Sequence, residues 1–219
     1  MGESFRCELV SWGSVEAWVA SVAEAMRRDL FHPEMVIGMV RGGMVPSRLI
    51  CDHLAEKNLF TVKTEHWGLT ATPDGKAKLA QALTMDIRGK RVLIVDDITD
   101  TGQSMILARD HVSGLRPKEL KTATLLHIAH SLIAPDYFAR RVEKEEWTWF
   151  IFPWNVREDL RNIVTKALDE PAEMKELKRR LKERFQIEPQ DAVLRDTLAA
   201  CKEDGTVTLK GGRYSAVLK

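Results

Sequence analysis

Residues 91–104 read RVLIVDDITDTGQS, and this stretch decides the fold. Its first five residues, Arg91 to Val95, form a β-rich run with four consecutive apolar members, which predicts a strand buried on both faces of a parallel sheet. Two carboxylates end the run, and a small polar loop and an apolar helical pattern follow. The stretch therefore predicts a strand–loop–helix junction, where open α/β sheets bind their ligands.

The residue types after this strand favour particular ligand chemistry. Backbone N–H groups in the loop and at the start of the following helix form a natural phosphate site, because they are donors at the positive end of a helix dipole. The preceding carboxylates, Asp96 and Asp97, suit hydroxyl groups or a cation rather than a phosphate. The residues alone thus predict a site for a phosphate joined to something that carries hydroxyls.

Composition limits the class of protein. A chain of 219 residues is long enough for one substantial domain or one domain with an appendage. The formal net charge is +1, so no bulk electrostatic attraction to nucleic acid or to a membrane is expected. The 3 cysteines are scattered without metal-binding spacing, and no apolar run is long enough to span a bilayer. These features predict a cytoplasmic location.

Strand and helix patterns alternate along the first three quarters of the chain. Strands are predicted at 35–40, 60–65, 91–95, 119–128 and 147–152, and helices at 14–30, 46–57, 105–112 and 158–168. This alternation predicts an α/β fold with an open, mostly parallel sheet flanked by helices. The polar stretch 66–85, with a turn at Thr72–Gly75, predicts a lid.

Arg41, Gly42 and Gly43 directly follow the first predicted buried strand. The glycines allow the backbone to approach a ligand closely, and the arginine adds a fixed positive charge. A tight turn between strand and helix explains the same residues, so both interpretations stand at this point.

The C-terminal part differs in pattern, and Asp169–Pro171 marks a boundary between residues 1–168 and 169–219. Helices are predicted at 174–185 and 191–200, followed by a hairpin around Gly211-Gly212. This small α+β appendage resembles a degenerate winged helix. Because it is short and barely basic, a packing or oligomerisation role is favoured over DNA binding.

The string Val95–Gly102 with Ser104 resembles the ribose-phosphate fingerprint of type I phosphoribosyltransferases. The resemblance implies that family's fold with a hood, a pyrophosphate loop at Arg41–Gly43 that has a cis peptide in some members, and Mg²⁺ held through Asp96 and Asp97. It also implies a set of residues that bind phosphoribosyl pyrophosphate (PRPP). These are Asp96, Asp97, Thr99, Asp100, Thr101, Gly102, Gln103 and Ser104.

Residues 149–155 read WFIFPWN and resemble the hood of 6-oxopurine phosphoribosyltransferases of the xanthine–guanine type. On composition alone they fit a hydrophobic edge of the core equally well. The resemblance implies that Trp149 stacks on the purine, that Phe150 meets it through its backbone, and that Asn155 lies near its exocyclic group. The family usually has Asp or Glu at this last position, which leaves the choice of base open.

A second departure concerns the end of the strand predicted at 119–128. The family usually has a lysine there that donates to the 6-oxo group of the purine, and Ile128 aligns with it. His127 or His130 would substitute as a donor, or each is a structural histidine; the sequence does not decide between these.

Asp100 distinguishes the base class by resemblance, since 6-oxopurine enzymes have Asp here and adenine and uracil enzymes usually have Ala. The implied activity is transfer of ribose 5-phosphate from PRPP to a 6-oxopurine in purine salvage, with Asp100 as the base that accepts the N7 proton. A homodimer is expected from the family alone. The alternatives are a PRPP-sensing regulator that binds nucleic acid, and a phosphoribosyltransferase for another base.

Overall fold

The computed structural model of the chain describes residues 3–66 and 77–217. Within these ranges the chain forms ten strands and six α-helices. In chain order they are β1 (Cys7–Leu9), α1 (Trp12–Arg28), β2 (Met35–Val40), α2 (Met44–Leu54), β3 (Leu59–His66), β4 (Ala77–Gln81), β5 (Arg91–Thr99), α3 (Gln103–Gly114), β6 (Glu119–Ile128), β7 (Tyr137–Val142), β8 (Trp149–Ile151), α4 (Val156–Ala167), α5 (Met174–Phe185), α6 (Asp191–Glu203), β9 (Val207–Lys210) and β10 (Arg213–Ala216).

The chain divides into two compact units. One is Gly13–Glu146, and the other combines Met1–Trp12 with Trp147–Lys219. The domain boundary predicted after residue 168 stays a prediction. The two compact units of the structure separate instead between residues 12 and 13 and between residues 146 and 147.

A six-stranded sheet forms the centre of the Gly13–Glu146 unit. Its strand order is β4-β3-β2-β5-β6-β7, and every neighbouring pair is parallel except β3 with β4. The predicted mostly parallel α/β sheet is thereby confirmed. The strand quoted first, β5, lies in the interior of the sheet between β2 and β6, as its apolar run requires.

Helices cover both faces of this sheet. Ile37 of β2 lies in one buried cluster with Met105 and Ala108 of α3. The next residue, Gly38, faces Ser47 of α2, and a Cβ atom added at Gly38 would lie 2.5 Å from the Ser47 hydroxyl. Because successive residues of a strand point to opposite faces, α3 and α2 lie on opposite sides of the sheet.

The structure adds strands that the sequence did not indicate. β4 falls within the stretch 66–85 predicted as a lid, and it pairs antiparallel with β3. The turn predicted at Thr72–Gly75 lies outside the described residues. β7 was also missed, because its sequence YFARRV carries two arginines and lies at an edge of the sheet, where burial does not impose a continuous apolar run.

The other unit has its own core. β1 and β8 pair in parallel, β9 and β10 form the predicted hairpin, and Tyr214 of β10 also pairs with Ala172. The buried apolar side chains of α4 lie in one cluster with those of α5 and α6. This shared core explains why α4, predicted to end the first domain, groups with the C-terminal helices.

Among the described residues, none of the helices has both the length and the apolar content needed to cross a membrane.

The turn between β2 and α2 is packed tightly against the next strand. The Val40–Arg41 peptide bond is cis. A Cβ atom at Gly43 would overlap the carbonyl oxygen of Val95 and would lie 2.7 Å from that of Met39. Glycine is therefore required at position 43 because the backbone of β5 on one side and of Met39 on the other leaves no room for a Cβ atom.

We expect Gly43→Ala to destabilise the protein by about 1–3 kcal/mol, because the new methyl group meets backbone atoms that have no room to move. Gly114→Ala is the matched control, since nothing lies within 4 Å of a Cβ atom added there. The free energy of unfolding from chemical denaturation measures the difference. Equal stability of the two variants would show that the turn relaxes freely and is not held against β5.

Candidate active site

The two carboxylates of the quoted motif belong to β5 rather than to a loop. Backbone pairing with β6 continues from Asp96 opposite Thr124 to Thr99 opposite His127. The predicted end of the strand at Val95 is therefore four residues too early. The side-chain pattern turns polar at Asp96, whereas the ladder of backbone hydrogen bonds does not depend on side-chain polarity.

Asp96 and Asp97 form a crowded, partly buried acidic pair. The Asp97 side chain is buried, and its backbone N–H donates to Oδ1 of Asp96 at 3.0 Å. Burial, and then the charge of Asp97, raise the pKa of Asp96 well above its ordinary value; backbone N–H groups of Asp97 and Gly43 oppose the rise.

The predicted pyrophosphate loop lies directly against this pair. A Cβ atom at Gly42 would lie 2.6 Å from the carboxyl carbon of Asp97, so no other residue fits without displacing the carboxylate. The structure thus brings together the two motifs, Arg41–Gly43 and Asp96–Asp97, that are far apart in sequence. Parallel pairing of β2 with β5 is the reason, since Arg41–Gly43 follows the carboxyl end of β2 and the two carboxylates lie near the carboxyl end of the adjacent strand β5.

The loop after β5 leads into α3, which begins at Gln103, two residues earlier than predicted. Gly102 precedes the helix with φ of +82° and makes no side-chain cap hydrogen bond. The Thr101 hydroxyl accepts a long hydrogen bond of 3.5 Å from the backbone N–H of Gln103. A helix N-terminus whose N-cap residue makes no side-chain cap hydrogen bond suits an anion, and the sequence predicts that Thr99 to Ser104 bind one.

Thr99 has a different environment from the rest of the predicted phosphate site. It is 2% exposed, and its hydroxyl donates to the hydroxyl of Thr124 at 3.0 Å. The Thr99 side chain is therefore held inside the sheet, at the last position of β5.

The turn after β6 packs on the same loop. The Leu132 N–H donates to the carbonyl oxygen of Thr101 at 3.1 Å. A Cβ atom at Gly102 would lie 2.5 Å from the hydroxyl of Ser131. In this turn His130 approaches the candidate general base, with Nε2 of His130 3.1 Å from Oδ1 of Asp100.

Sequence reasoning did not foresee the contact between His130 and Asp100. The signal that would have found it is register, because Thr99 pairs with His127 and the residues that follow each strand reach the same edge of the sheet. The other candidate donor, His127, is buried beside the ring of Phe138, with 5.2 Å between ring centroids. Burial, and then the nearby Arg141 charge, lower the pKa of His127.

The residues predicted to meet a base belong to the other compact unit, where Trp149 and Phe150 form the start of β8. Trp149 is 38% exposed, whereas Phe150 is buried. Trp154 stacks on Phe152, with ring centroids 4.8 Å apart. Asn155 precedes α4 and makes no side-chain cap hydrogen bond. Trp149 therefore offers an open aromatic face, while Trp154 is already engaged.

The residues that would hold a divalent cation are few. No group of three or more His, Cys, Asp or Glu side chains gathers within residues 3–66 and 77–217. Asp96 and Asp97 supply two adjacent carboxylates. Burial, and then the Asp97 charge, raise the pKa of Asp96, and a bound cation would offset that charge. This donor set fits Mg²⁺, which proteins bind through one or two carboxylates while substrate phosphates and water complete the octahedron.

Comparison with known proteins agrees with this arrangement. The family model described as Phosphoribosyl transferase domain matches residues 8–161. A hypoxanthine-guanine phosphoribosyltransferase of Aquifex aeolicus is 33% identical over 99 residues, which cover 43% of this chain and 54% of that protein. A xanthine-guanine phosphoribosyltransferase of Cereibacter sphaeroides is 30% identical over 154 residues, which cover 67% of this chain and 86% of that protein.

A solved structure is similar over the same part of the chain. The crystal structure of a purine phosphoribosyltransferase from Pyrococcus horikoshii aligns with a TM-score of 0.59 at 29% identity, covering 68% of this chain and 93% of that one. The hypoxanthine-guanine and hypoxanthine relatives are matched over only about half of their length. The resemblance seen in residues 95–104 is nevertheless confirmed, and because the family model covers more than half of the sequence, the chain belongs to the phosphoribosyl transferase domain family.

Proposed function

We propose that this protein transfers ribose 5-phosphate from PRPP to a 6-oxopurine base and releases pyrophosphate, a reaction of purine salvage. The observation that carries the proposal is the packing of the Arg41–Gly43 turn on Asp97, beside the loop that holds Asp100. Family membership and relatives named as hypoxanthine-guanine and xanthine-guanine phosphoribosyltransferases support the same reaction.

In this proposal the two ends of PRPP bind to different turns. Arg41 and the Gly42-Gly43 backbone hold pyrophosphate, since a fixed charge and closely approaching amides suit a polyanion. The Thr101–Ser104 segment clamps the 5-phosphate with N–H and hydroxyl donors at the start of α3. Thr99 contributes through its backbone, because its hydroxyl is bonded to Thr124.

Asp96 and Asp97 lie near the end of β5, between these two turns in sequence order, and would hold the ribose 2- and 3-hydroxyls. Loss of pyrophosphate leaves positive charge on the sugar, and nearby carboxylates stabilise such an oxocarbenium-like transition state. When bound, Mg²⁺ would offset negative charge on the leaving pyrophosphate. Asp100 would take the proton that the purine loses from N7.

The base would be held by residues 149–155. Trp149 supplies the exposed aromatic face for stacking, and Phe150 contributes its backbone as an edge contact. Asn155 replaces the usual carboxylate, so the exocyclic group at C2 would meet an amide that both donates and accepts. This residue and the apolar Ile128 bear on which 6-oxopurine is preferred. A cytoplasmic homodimer belongs to the same proposal, supported by family resemblance.

Pyrophosphate release tests the proposal directly. The purified protein, with Mg²⁺ and PRPP, is given hypoxanthine, guanine, xanthine, adenine, uracil and orotate in turn. Turnover restricted to 6-oxopurines is expected. Turnover with adenine or a pyrimidine alone would contradict the assigned base class. Tight PRPP binding with no turnover for any base would favour the PRPP-sensing regulator instead.

Asp100→Ala should lower kcat about a hundredfold or more, the range typical of a lost general base, with a much smaller change in the Kd for PRPP. Pyrophosphate release gives kcat, and titration calorimetry gives the Kd. Asp110→Ala is the control, because Asp110 is an exposed α3 carboxylate paired with Arg109 at 3.7 Å. Weak PRPP binding with unchanged kcat would remove Asp100 from the role of base.

Trp149→Ala should raise the KM for the base roughly tenfold or more while leaving the KM for PRPP nearly unchanged, since aromatic stacking on a base contributes about 1–3 kcal/mol. Trp147→Ala provides a closely matched control, because the two tryptophans are equally exposed at 38%. An equal effect of the two substitutions on the KM for the base would argue that Trp149 is ordinary surface.

A further inference from the structure

Two partly exposed side chains meet at the edge of the sheet where β5 and β6 end. Nε2 of His130 lies 3.1 Å from Oδ1 of Asp100, and the side chains are 38% and 49% exposed. An isolated pair this exposed contributes little to stability, because water screens the charges and holding the side chains costs entropy. The pair includes Asp100, the candidate general base, so its effect is to be sought in the reaction rather than in stability.

The backbone around His130 is held within its own turn and is also bonded to the candidate phosphate loop. Ser131 donates its N–H to the carbonyl oxygen of Ile128 at 3.0 Å, and Leu132 donates to Thr101 at 3.1 Å. The Ser131 side chain also fills the space beside Gly102. The turn that carries His130 and the loop that carries Asp100 therefore form one packed structure, so the contact between the two side chains rests on a defined backbone.

Position 128 offers no polar group to a ligand at this edge. Ile128 is the last residue of β6, and its side chain is fully buried. His127 is buried as well. His130 is thus the first partly exposed basic side chain after β6, and it points at the carboxylate to which the proposed function assigns the proton transfer.

We propose that His130 is the positioning residue for Asp100. Its Nε2–H donates to Oδ1, which fixes the plane of the carboxylate and leaves Oδ2 to accept the purine proton. Without this hydrogen bond the Asp100 side chain, half exposed at the start of a loop, would populate several rotamers, and only some would place the carboxylate correctly. This inference rests on the proposed function.

The proton transfer that His130 would support accompanies the formation of the bond between the base and the sugar. The base reacts as its N7–H tautomer, in which N9 has a free electron pair. As N9 bonds to C1 of the ribose, the bond from C1 to the pyrophosphate oxygen breaks and its electron pair leaves with pyrophosphate. The proton on N7 passes to Oδ2 of Asp100. His130 keeps its own proton throughout and acts only by holding Oδ1.

The test compares His130→Ala and His130→Gln with wild type in the whole 219-residue chain. The alanine variant should lower kcat roughly tenfold, a part of the effect of losing the base itself, while the KM for PRPP stays within about twofold. The glutamine variant keeps an N–H donor at a similar distance and should recover most of the loss. Added imidazole should partly restore the alanine variant, which a merely structural effect would not allow.

A double-mutant cycle shows whether His130 acts through Asp100. In the Asp100→Ala background, His130→Ala should have no further effect on kcat, because the carboxylate that it positions is gone. His53→Ala is the matched control. Nε2 of His53 on α2 lies 3.0 Å from Oε1 of Glu16 on α1, so this is a similar pair outside the candidate site. It should leave kcat unchanged. Melting temperatures within about 2 °C of wild type would show that the variants are folded.

The outcomes separate this inference from the proposed function. Wild-type turnover with a kcat for His130→Ala equal to that of His53→Ala would overturn the positioning role and leave the function intact. Additive losses in the double mutant would also overturn it, since His130 would then act independently of Asp100. Wild-type protein that releases no pyrophosphate with any base would overturn the function, and this inference with it.

Discussion

Parallel pairing of β5 with β2 on one side and β6 on the other is the constraint on which the candidate site depends. The register sets Gly38 beside Val95 and Thr99 beside His127, so the three strands end at one edge of the sheet. The turns that follow them are neighbours for that reason, whatever their own sequences. The β2 turn then needs glycine to fit against Val95 and Asp97, and the β6 turn fits only because Gly102 has no side chain. The spatial contact between Arg41–Gly43 and Asp96–Asp97 therefore follows from the sheet and not from either motif alone.

This edge also concentrates unfavourable charge. Burying one carboxylate beside another costs free energy, and the raised pKa of Asp96 is the direct sign of that cost. Backbone N–H groups offset part of it, since Asp97 donates to Asp96 at 3.0 Å. A fold selected for stability alone would place apolar residues at the end of β5, as it does at Val92 to Val95. The acidic pair is therefore better explained by a bound partner with hydroxyls or positive charge than by any structural need.

The sequence predicts the elements whose side chains repeat with a clear period or end at a clear signal. Met35–Val40, Glu119–Ile128 and Met174–Phe185 are found with the predicted bounds. It fails where backbone pairing or edge position overrides the side-chain pattern, as in the extension of β5 through Asp96–Thr99 and in the strand Tyr137–Val142. The site motifs were found because they are local strings. The contact of His130 with Asp100 was not, because it depends on register between strands.

The family match ends within a helix whose buried side chains pack on the helices that follow it, so the end of the match is not a boundary in the packing of the chain. The match ends at residue 161, inside α4. Yet Leu160, Ile163 and Val164 of α4 are buried in the same cluster as Leu177 and Leu181 of α5. Each such side chain contributes about 1.5–3 kcal/mol when fully buried, so the C-terminal helices contribute substantially to the stability of α4. The sequence predicts a boundary at Asp169–Pro171, and in the structure Arg184 of α5 pairs with Asp169 at 2.9 Å. A charged, proline-containing segment marks a domain boundary only when few contacts cross it, and here the apolar face of α4 makes those contacts.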